Sequence, residues 1–133
     1  MSAITTHILD TVLGKPAAGV IVRLEKLDGG GWLEVPDVEV LDGEPVERVR
    51  DAPCCWVEVA ASATDTDGRC RDLAADAAAG DYRLTFSTGS YLQRQGRTSI
   101  YPKISITFAC DGKGDYHLPL LLSDNSYTTY RGS

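Results

Sequence analysis

The feature that most constrains this chain is a two-residue alternation of apolar and polar side chains. In residues 20–25, Val20, Val22 and Leu24 fall on one face, while Arg23 and Glu25 fall on the other. The same period returns in residues 82–87 and 104–108. Successive side chains of an extended strand point to opposite faces, so this period is typical of a strand with one buried face. The pattern predicts a protein built from sheets.

Further β-prone segments predict a mainly β fold of seven or eight short strands. They cover residues 4–9, 57–64, 116–122 and 127–130, and turn-forming clusters at residues 28–31, 67–68 and 111–114 separate strands. Short strands divided in this way are typical of a two-sheet sandwich. Helical signals are few. Residues 90–95 predict one short helix, and the alanine-rich residues 73–79 predict a loop with room for one helical turn.

One segment, from Pro36 to Trp56, does not fit the regular strand pattern. It holds three prolines and eight charged side chains, with only short apolar pieces between them. Proline cannot donate a backbone hydrogen bond to a neighbouring strand, so we predict that this segment lies outside the two sheets of the sandwich. Because a typical domain has about 150 residues, we expect a single domain over residues 1–133 with an insertion at about 36–56 that carries a small hairpin.

The charge and hydropathy of the chain narrow its partners. A formal net charge of −6 repels phosphate backbones and anionic lipid, so neither nucleic acid nor a membrane is an expected partner. No apolar run approaches the roughly 20 residues of a spanning helix, and the first 14 residues contain no Lys or Arg to begin an export signal. We expect a cytoplasmic location, and a peroxisomal one stays open.

The four cysteines do not form a metal-binding pattern. Cys54 and Cys55 are adjacent, Cys70 and Cys110 are isolated, and no Cys-x-x-Cys spacing occurs. A structural zinc site needs paired ligands, and adjacent cysteines bridge each other only with strain. We expect reduced thiols, with Cys70 and Cys110 behaving as small apolar residues.

Histidine chemistry in this chain is limited to His7 and His117, which are 110 residues apart. Imidazole is suited to moving protons near neutral pH, and Arg69, in an Asp-Gly-Arg turn, could hold a carbonyl or an anion. The spacing does not say whether the three meet, and composition alone favours two structural histidines. A nucleophilic serine near His117 is a weaker reading, because no Gly-x-Ser-x-Gly elbow is present.

Several motifs resemble a known family. They are Ile-Thr-Thr-His-Ile-Leu-Asp-Thr at residues 4–11, Gly-Lys-Pro-Ala-Ala-Gly at 14–19, Thr-Asp-Gly-Arg at 66–69, Tyr-Pro at 101–102, Tyr-His-Leu-Pro-Leu-Leu-Leu-Ser at 116–123, and the ending Tyr-Thr-Thr-Tyr-Arg-Gly-Ser at 127–133. Together they are similar to the 5-hydroxyisourate hydrolases, the transthyretin-related family of urate breakdown. The final Tyr-Arg-Gly-Ser is the most specific piece, since in this family it separates the enzymes from the hormone carrier.

The resemblance implies both a fold and an activity. The fold is a prealbumin/transthyretin-like sandwich that assembles as a homotetramer, a dimer of dimers with active sites at the dimer–dimer interface. The activity is hydrolysis of 5-hydroxyisourate to 2-oxo-4-hydroxy-4-carboxy-5-ureidoimidazoline, without metal or cofactor. The implied catalytic residues are His7, Arg69 and His117. The implied substrate-binding residues, supplied by a neighbouring subunit, are Tyr130, Arg131, Gly132 and Ser133.

A different class of function stays open beside the enzyme. A transthyretin-like module that binds a small ligand or a protein would have the same fold. It would have no need of paired imidazoles and a guanidinium in its channel, so His7, His117 and the Tyr-Arg-Gly-Ser ending favour the hydrolase.

Overall fold

The computed structural model describes residues 1–28, 38–41, 44–47 and 56–132. These residues form eleven strands and one helix. The strands are β1 (Ser2–Asp10), β2 (Lys15–Pro16), β3 (Ile21–Leu27), β4 (Val38–Leu41), β5 (Glu44–Glu47), β6 (Trp56–Ala63), β7 (Arg69–Ala77), β8 (Gly80–Phe86), β9 (Ile104–Cys110), β10 (Tyr116–Leu122) and β11 (Tyr127–Thr129). The helix is α1 (Thr88–Arg94).

Nine of these strands form two sheets. Strand β1 is central in the five-stranded sheet. It pairs in parallel with β10, and β10 pairs antiparallel with β11. Strand β7 and the short β2 both pair antiparallel with β1. The four-stranded sheet has the antiparallel order β6-β3-β8-β9. The predicted two-sheet sandwich with one short helix is therefore confirmed, with nine strands where seven or eight were expected.

The core lies between the sheets and follows the alternation of the sequence. On β1, Ile4 and Ile8 are fully buried, and on the opposite sheet Leu24, Leu84 and Phe86 are fully buried as well. The intervening positions on β1 are half-exposed. Each buried Ile, Leu or Phe contributes about 1.5–3 kcal/mol relative to an exposed position. The same alternation that buries this core leaves the odd-numbered positions of β1 on the outer face of the sheet.

The prediction of a loop at residues 73–79 was wrong for residues 73–77. Strand β7 runs through Arg69–Ala77 and pairs with β1, with Leu73 and Ala77 buried. Its register against β1 shifts between Ser2 and Ile4 and again between Ile4 and Thr6. Extra residues in a bulged strand break the period of two, which is why the alternation was not visible in the sequence.

The helix and the segment after it form a buried polar cluster. Tyr91 and Leu92 of α1 are buried, and the helix begins two residues earlier than predicted. The Arg97 side chain is only 14% exposed and pairs with the fully buried carboxylate of Asp10 at 2.6 Å. Arg97 also donates to Asp124 at 2.9 Å. This cluster joins the end of β1 to the turn between β10 and β11.

The described part of residues 36–56 contains a hairpin. Strands β4 and β5 pair antiparallel as a separate two-stranded sheet, in agreement with the predicted small hairpin. The rest of the stretch before Trp56, including Cys54 and Cys55, lies outside the described residues. In the part of the chain that the structure describes, no helix is long and apolar enough to cross a membrane.

Candidate active site

The pairing of three neighbouring strands brings the two histidines and Arg69 together. In the parallel register of β1 with β10, Thr5 lies opposite His117. In the antiparallel register of β1 with β7, His7 lies opposite Arg69. Thr5 and His7 are two residues apart and therefore share the outer face of the sheet, where both are half-buried. The three residues that the sequence singled out thus meet on one face.

Sheet geometry sets the scale of this arrangement. Residues directly opposite each other have Cβ atoms roughly 4.5–5.5 Å apart, and diagonal neighbours two positions along lie roughly 7–8 Å apart. Arg69 is directly opposite His7, while His117 is diagonal to His7. The three side chains therefore leave the sheet from three adjacent strands, with His7 on the strand between those of Arg69 and His117.

An open cleft of about 770 Å³ lies over this part of the sheet. Its lining residues are Thr5, Arg69, Asp115, His117, Arg131 and Gly132. All except the glycine have polar or charged side chains. Such a lining suits a small polar ligand with several hydrogen-bonding groups better than an apolar one.

His117 is held at one ring nitrogen and is disposed to be neutral. Its Nδ1 lies 2.9 Å from the Thr5 hydroxyl, a hydrogen bond between residues 112 positions apart. Burial lowers the pKa of His117 below its ordinary value of 6.5, and the positive charges of Arg69 and His7 lower it further. A neutral imidazole keeps one nitrogen lone pair and can accept a proton near neutral pH.

The C-terminal segment closes against His117. The Gly132 amide donates to the His117 carbonyl at 2.6 Å, and the Thr129 hydroxyl donates to the Pro119 carbonyl at 2.8 Å. A Cβ atom added at Gly132 would lie 2.8 Å from Cδ2 of the His117 ring. Glycine is therefore required for this approach, which explains one residue of the Tyr-Arg-Gly-Ser ending.

The other residues of the ending are placed differently. The guanidinium of Arg131 lies over the Tyr116 ring, 4.0 Å from its centre, and donates to the Asp115 carbonyl at 3.1 Å. The Tyr130 side chain is exposed. Ser133 lies outside the described residues. Within one chain, Gly132 of this segment contacts His117.

Sequence reasoning missed Thr5 and Asp115 as site residues. The period of two already placed Thr5 on the same face as His7, but its partner became visible only with the register of β10. Asp115 accepts a hydrogen bond from the Ala3 amide at 3.0 Å, which ties the start of β10 to β1.

Cys70, next to Arg69, is not a candidate nucleophile. It is 1% exposed, and burial together with the charge of Asp72 raises the pKa of its thiol to about 11. Cys70 and Cys110 are both buried free thiols, as predicted. Across the described ranges, no three His, Cys, Asp or Glu side chains are grouped to hold a metal ion.

The model of the HIUase/Transthyretin family matches residues 4–132. The chain belongs to this family. A 5-hydroxyisourate hydrolase of Mus musculus is 38% identical to this chain, and the alignment covers 99% of this chain and 96% of the mouse protein. The solved 5-hydroxyisourate hydrolase of Klebsiella pneumoniae is 33% identical over the whole of both chains, with a TM-score of 0.73. The transthyretin of Sparus aurata is 27% identical over 99% of this chain and 97% of its own, with a TM-score of 0.77.

These matches confirm the transthyretin-like fold and the family resemblance. They include both hydrolases and a transthyretin, so the backbone alone does not distinguish an enzyme from a carrier. The side chains of the cleft carry that distinction.

Proposed function

We propose that this protein is a hydrolase of urate degradation that opens the ring of 5-hydroxyisourate to give 2-oxo-4-hydroxy-4-carboxy-5-ureidoimidazoline. The observation that carries the proposal is that His7, Arg69 and His117 meet on one face of the sheet, where Arg69 and His117 line a polar cleft. The full-length similarity to a mouse protein named 5-hydroxyisourate hydrolase supports the same substrate.

This face of the sheet supplies the groups that amide-type hydrolysis needs. In the proposed reaction the neutral imidazole of His117 takes a proton from water, and the oxygen of that water forms a bond to the ring carbonyl carbon. Arg69 and His7 donate N–H groups to the oxyanion that develops. The carbon–nitrogen bond then breaks, and His117 returns its proton to the departing nitrogen. One water is consumed, and the enzyme ends in its starting protonation state.

The proposed roles at the C-terminal segment concern substrate binding. Gly132 sets the position of the segment against His117, and Arg131 lines the cleft with its guanidinium. We assign Tyr130 and Ser133 to the same binding function, on the strength of the family resemblance of the Tyr-Arg-Gly-Ser ending.

The proposed assembly is a homotetramer, a dimer of dimers with the active sites between dimers. Two features support it. The cleft lies open on the outer face of the five-stranded sheet, and Val12 and Leu13, in the turn after β1, are 57% and 45% exposed. A partner that covers the cleft would narrow it around the substrate, and a partner that covers Val12 and Leu13 would bury apolar surface. Sedimentation equilibrium tests the assembly, and a monomeric mass would contradict it.

The decisive experiment follows the ultraviolet absorbance of freshly made 5-hydroxyisourate. We expect decay well above the spontaneous rate with the protein, and loss of that acceleration in His7→Ala, Arg69→Ala and His117→Ala. Arg23→Ala is the matched control, because Arg23 pairs with Glu58 at the exposed surface of the other sheet. A folded wild-type protein that leaves the decay unchanged would refute the enzyme and favour the binding module. Full activity in all three variants would show that the site is wrong.

A further inference from the structure

Thr5 is the side chain that contacts the proposed general base, and no motif assigned it a role. It lies on β1, directly opposite His117 in the parallel register with β10. Its hydroxyl is 2.9 Å from Nδ1 of His117. The backbone pairing itself sets this distance, because both residues occupy the outer face of adjacent central strands. Thr5 is β-branched, so its side chain has little rotational freedom and keeps the hydroxyl in place.

The contacts of the His117 ring leave one nitrogen for chemistry. Nδ1 faces the Thr5 hydroxyl, and the Cδ2 edge faces Gly132. The nitrogen that remains for a ligand in the cleft is Nε2. In a neutral imidazole only one nitrogen carries a proton, and the partner of the other nitrogen decides which one it is.

We propose that Thr5 is a positioning residue that accepts a hydrogen bond from Nδ1–H of His117 and thereby keeps the lone pair of Nε2 directed into the cleft. This inference rests on the proposed function, in which His117 takes a proton from water. If Thr5 instead donated to Nδ1, Nε2 would carry the proton and could not act as the base. The Thr5 hydroxyl is neutral, so it fixes the tautomer without adding a charge beside Arg69 and His7. In a serine-protease triad, by contrast, a carboxylate orients the histidine.

Two substitutions separate the hydroxyl from the packing of the side chain. Thr5→Val keeps the branched shape and removes the hydrogen-bonding oxygen, whereas Thr5→Ser keeps the oxygen and removes a methyl group. We expect kcat of Thr5→Val to fall by about tenfold to hundredfold, since a misdirected catalytic group costs a factor of this size. We expect KM to change little and Thr5→Ser to retain most of the wild-type rate. Wild-type kcat in Thr5→Val would overturn the proposal, as would an equal loss in both variants.

A nuclear magnetic resonance measurement tests the tautomer without any turnover. Two-bond correlations between ring protons and ¹⁵N report which nitrogen is protonated, and the chain has only two histidines, so a His7→Asn sample assigns the signals. We expect a protonated Nδ1 on His117 in wild type and in Thr5→Ser, and a shift of the proton toward Nε2 in Thr5→Val. A protonated Nε2 in the wild type, or the same tautomer in wild type and Thr5→Val, would overturn the proposal. Because this readout needs no substrate, it stays informative even if wild type fails to hydrolyse 5-hydroxyisourate.

Discussion

Replacing Gly132 by alanine tests how closely the C-terminal segment is fitted to His117. The added Cβ atom would lie 2.8 Å from Cδ2 of the ring, 3.3 Å from the His117 carbonyl oxygen and 3.5 Å from Cγ of Pro119. Ordinary contacts begin near 3.4 Å. Either the ring or the segment must therefore move by about 0.6 Å or more, and atoms on three sides limit where the new methyl group can go.

Both ways of relieving this contact reduce activity. If the imidazole moves, Nε2 leaves its position in the cleft and strains the hydrogen bond from Nδ1 to Thr5. If the segment moves, the hydrogen bond from the Gly132 amide to the His117 carbonyl is lost and the cleft opens. A displacement of 1 Å at a catalytic group can cost about a hundredfold in rate, so we expect a loss of about tenfold in kcat/KM. This corresponds to about 1.4 kcal/mol of activation free energy.

The assay compares initial rates of 5-hydroxyisourate decay for wild type, Gly132→Ala and a control, Thr128→Ala. Thr128 is exposed on β11, the strand that leads into the same segment, so its truncation leaves the contact with His117 intact. Thermal unfolding of each variant reports stability, and we expect little change, because the segment follows the last strand of the sheet. Gly132→Ala with wild-type kcat/KM would refute the claim that glycine is required by the approach to His117.

Two further predictions concern charges. Burial by itself raises the pKa of Asp10, but hydrogen bonds from Arg97, Leu13 and Tyr91 outweigh it and hold that pKa below its ordinary 3.8. Asp10→Asn breaks the buried ion pair with Arg97 and should lower the free energy of unfolding, measured with urea near pH 7, by about 3–5 kcal/mol. The folded pKa is the lower one, so the wild-type advantage should decline as the pH falls below 3.8, and a difference that is equal at pH 7 and pH 3 would contradict it. The pKa of His117 lies below 6.5, so we expect kcat/KM to decline on the acid side with a midpoint below pH 6.5. Arg69→Gln removes a positive charge near the ring and should raise the pKa of His117, as followed by the ring-proton chemical shifts. An unchanged pKa in this variant would show that Arg69 does not act on the ring.

The sequence predicted the strands whose alternation is regular and failed where it is not. Residues 21–25 and 82–86 lie in strands with one buried face, as their period indicates. Strand β7 escaped because bulges against β1 interrupt its period. Bulges arise from pairing with a second strand, and a pattern read along one segment carries no information about its partner.

The site shows the same division between local and long-range information. Motif resemblance named His7, Arg69 and His117, but only the pairing of β1 with β7 and β10 shows that they meet. The contact between Thr5 and His117 likewise depends on the pairing of β1 with β10. The pairing of Arg97 with Asp10 is equally invisible in the sequence, because the two residues are 87 positions apart.

The parallel pairing of β1 with β10 also has a consequence for how the protein is made. During synthesis β1 is complete long before β10 emerges. Until then, the edge of β1 that pairs with β10 has no partner strand, and Thr5 lacks His117. An unpaired strand edge can recruit another chain. Docking of residues 116–122 therefore brings His117 to Thr5 and covers this edge of β1 in the same event.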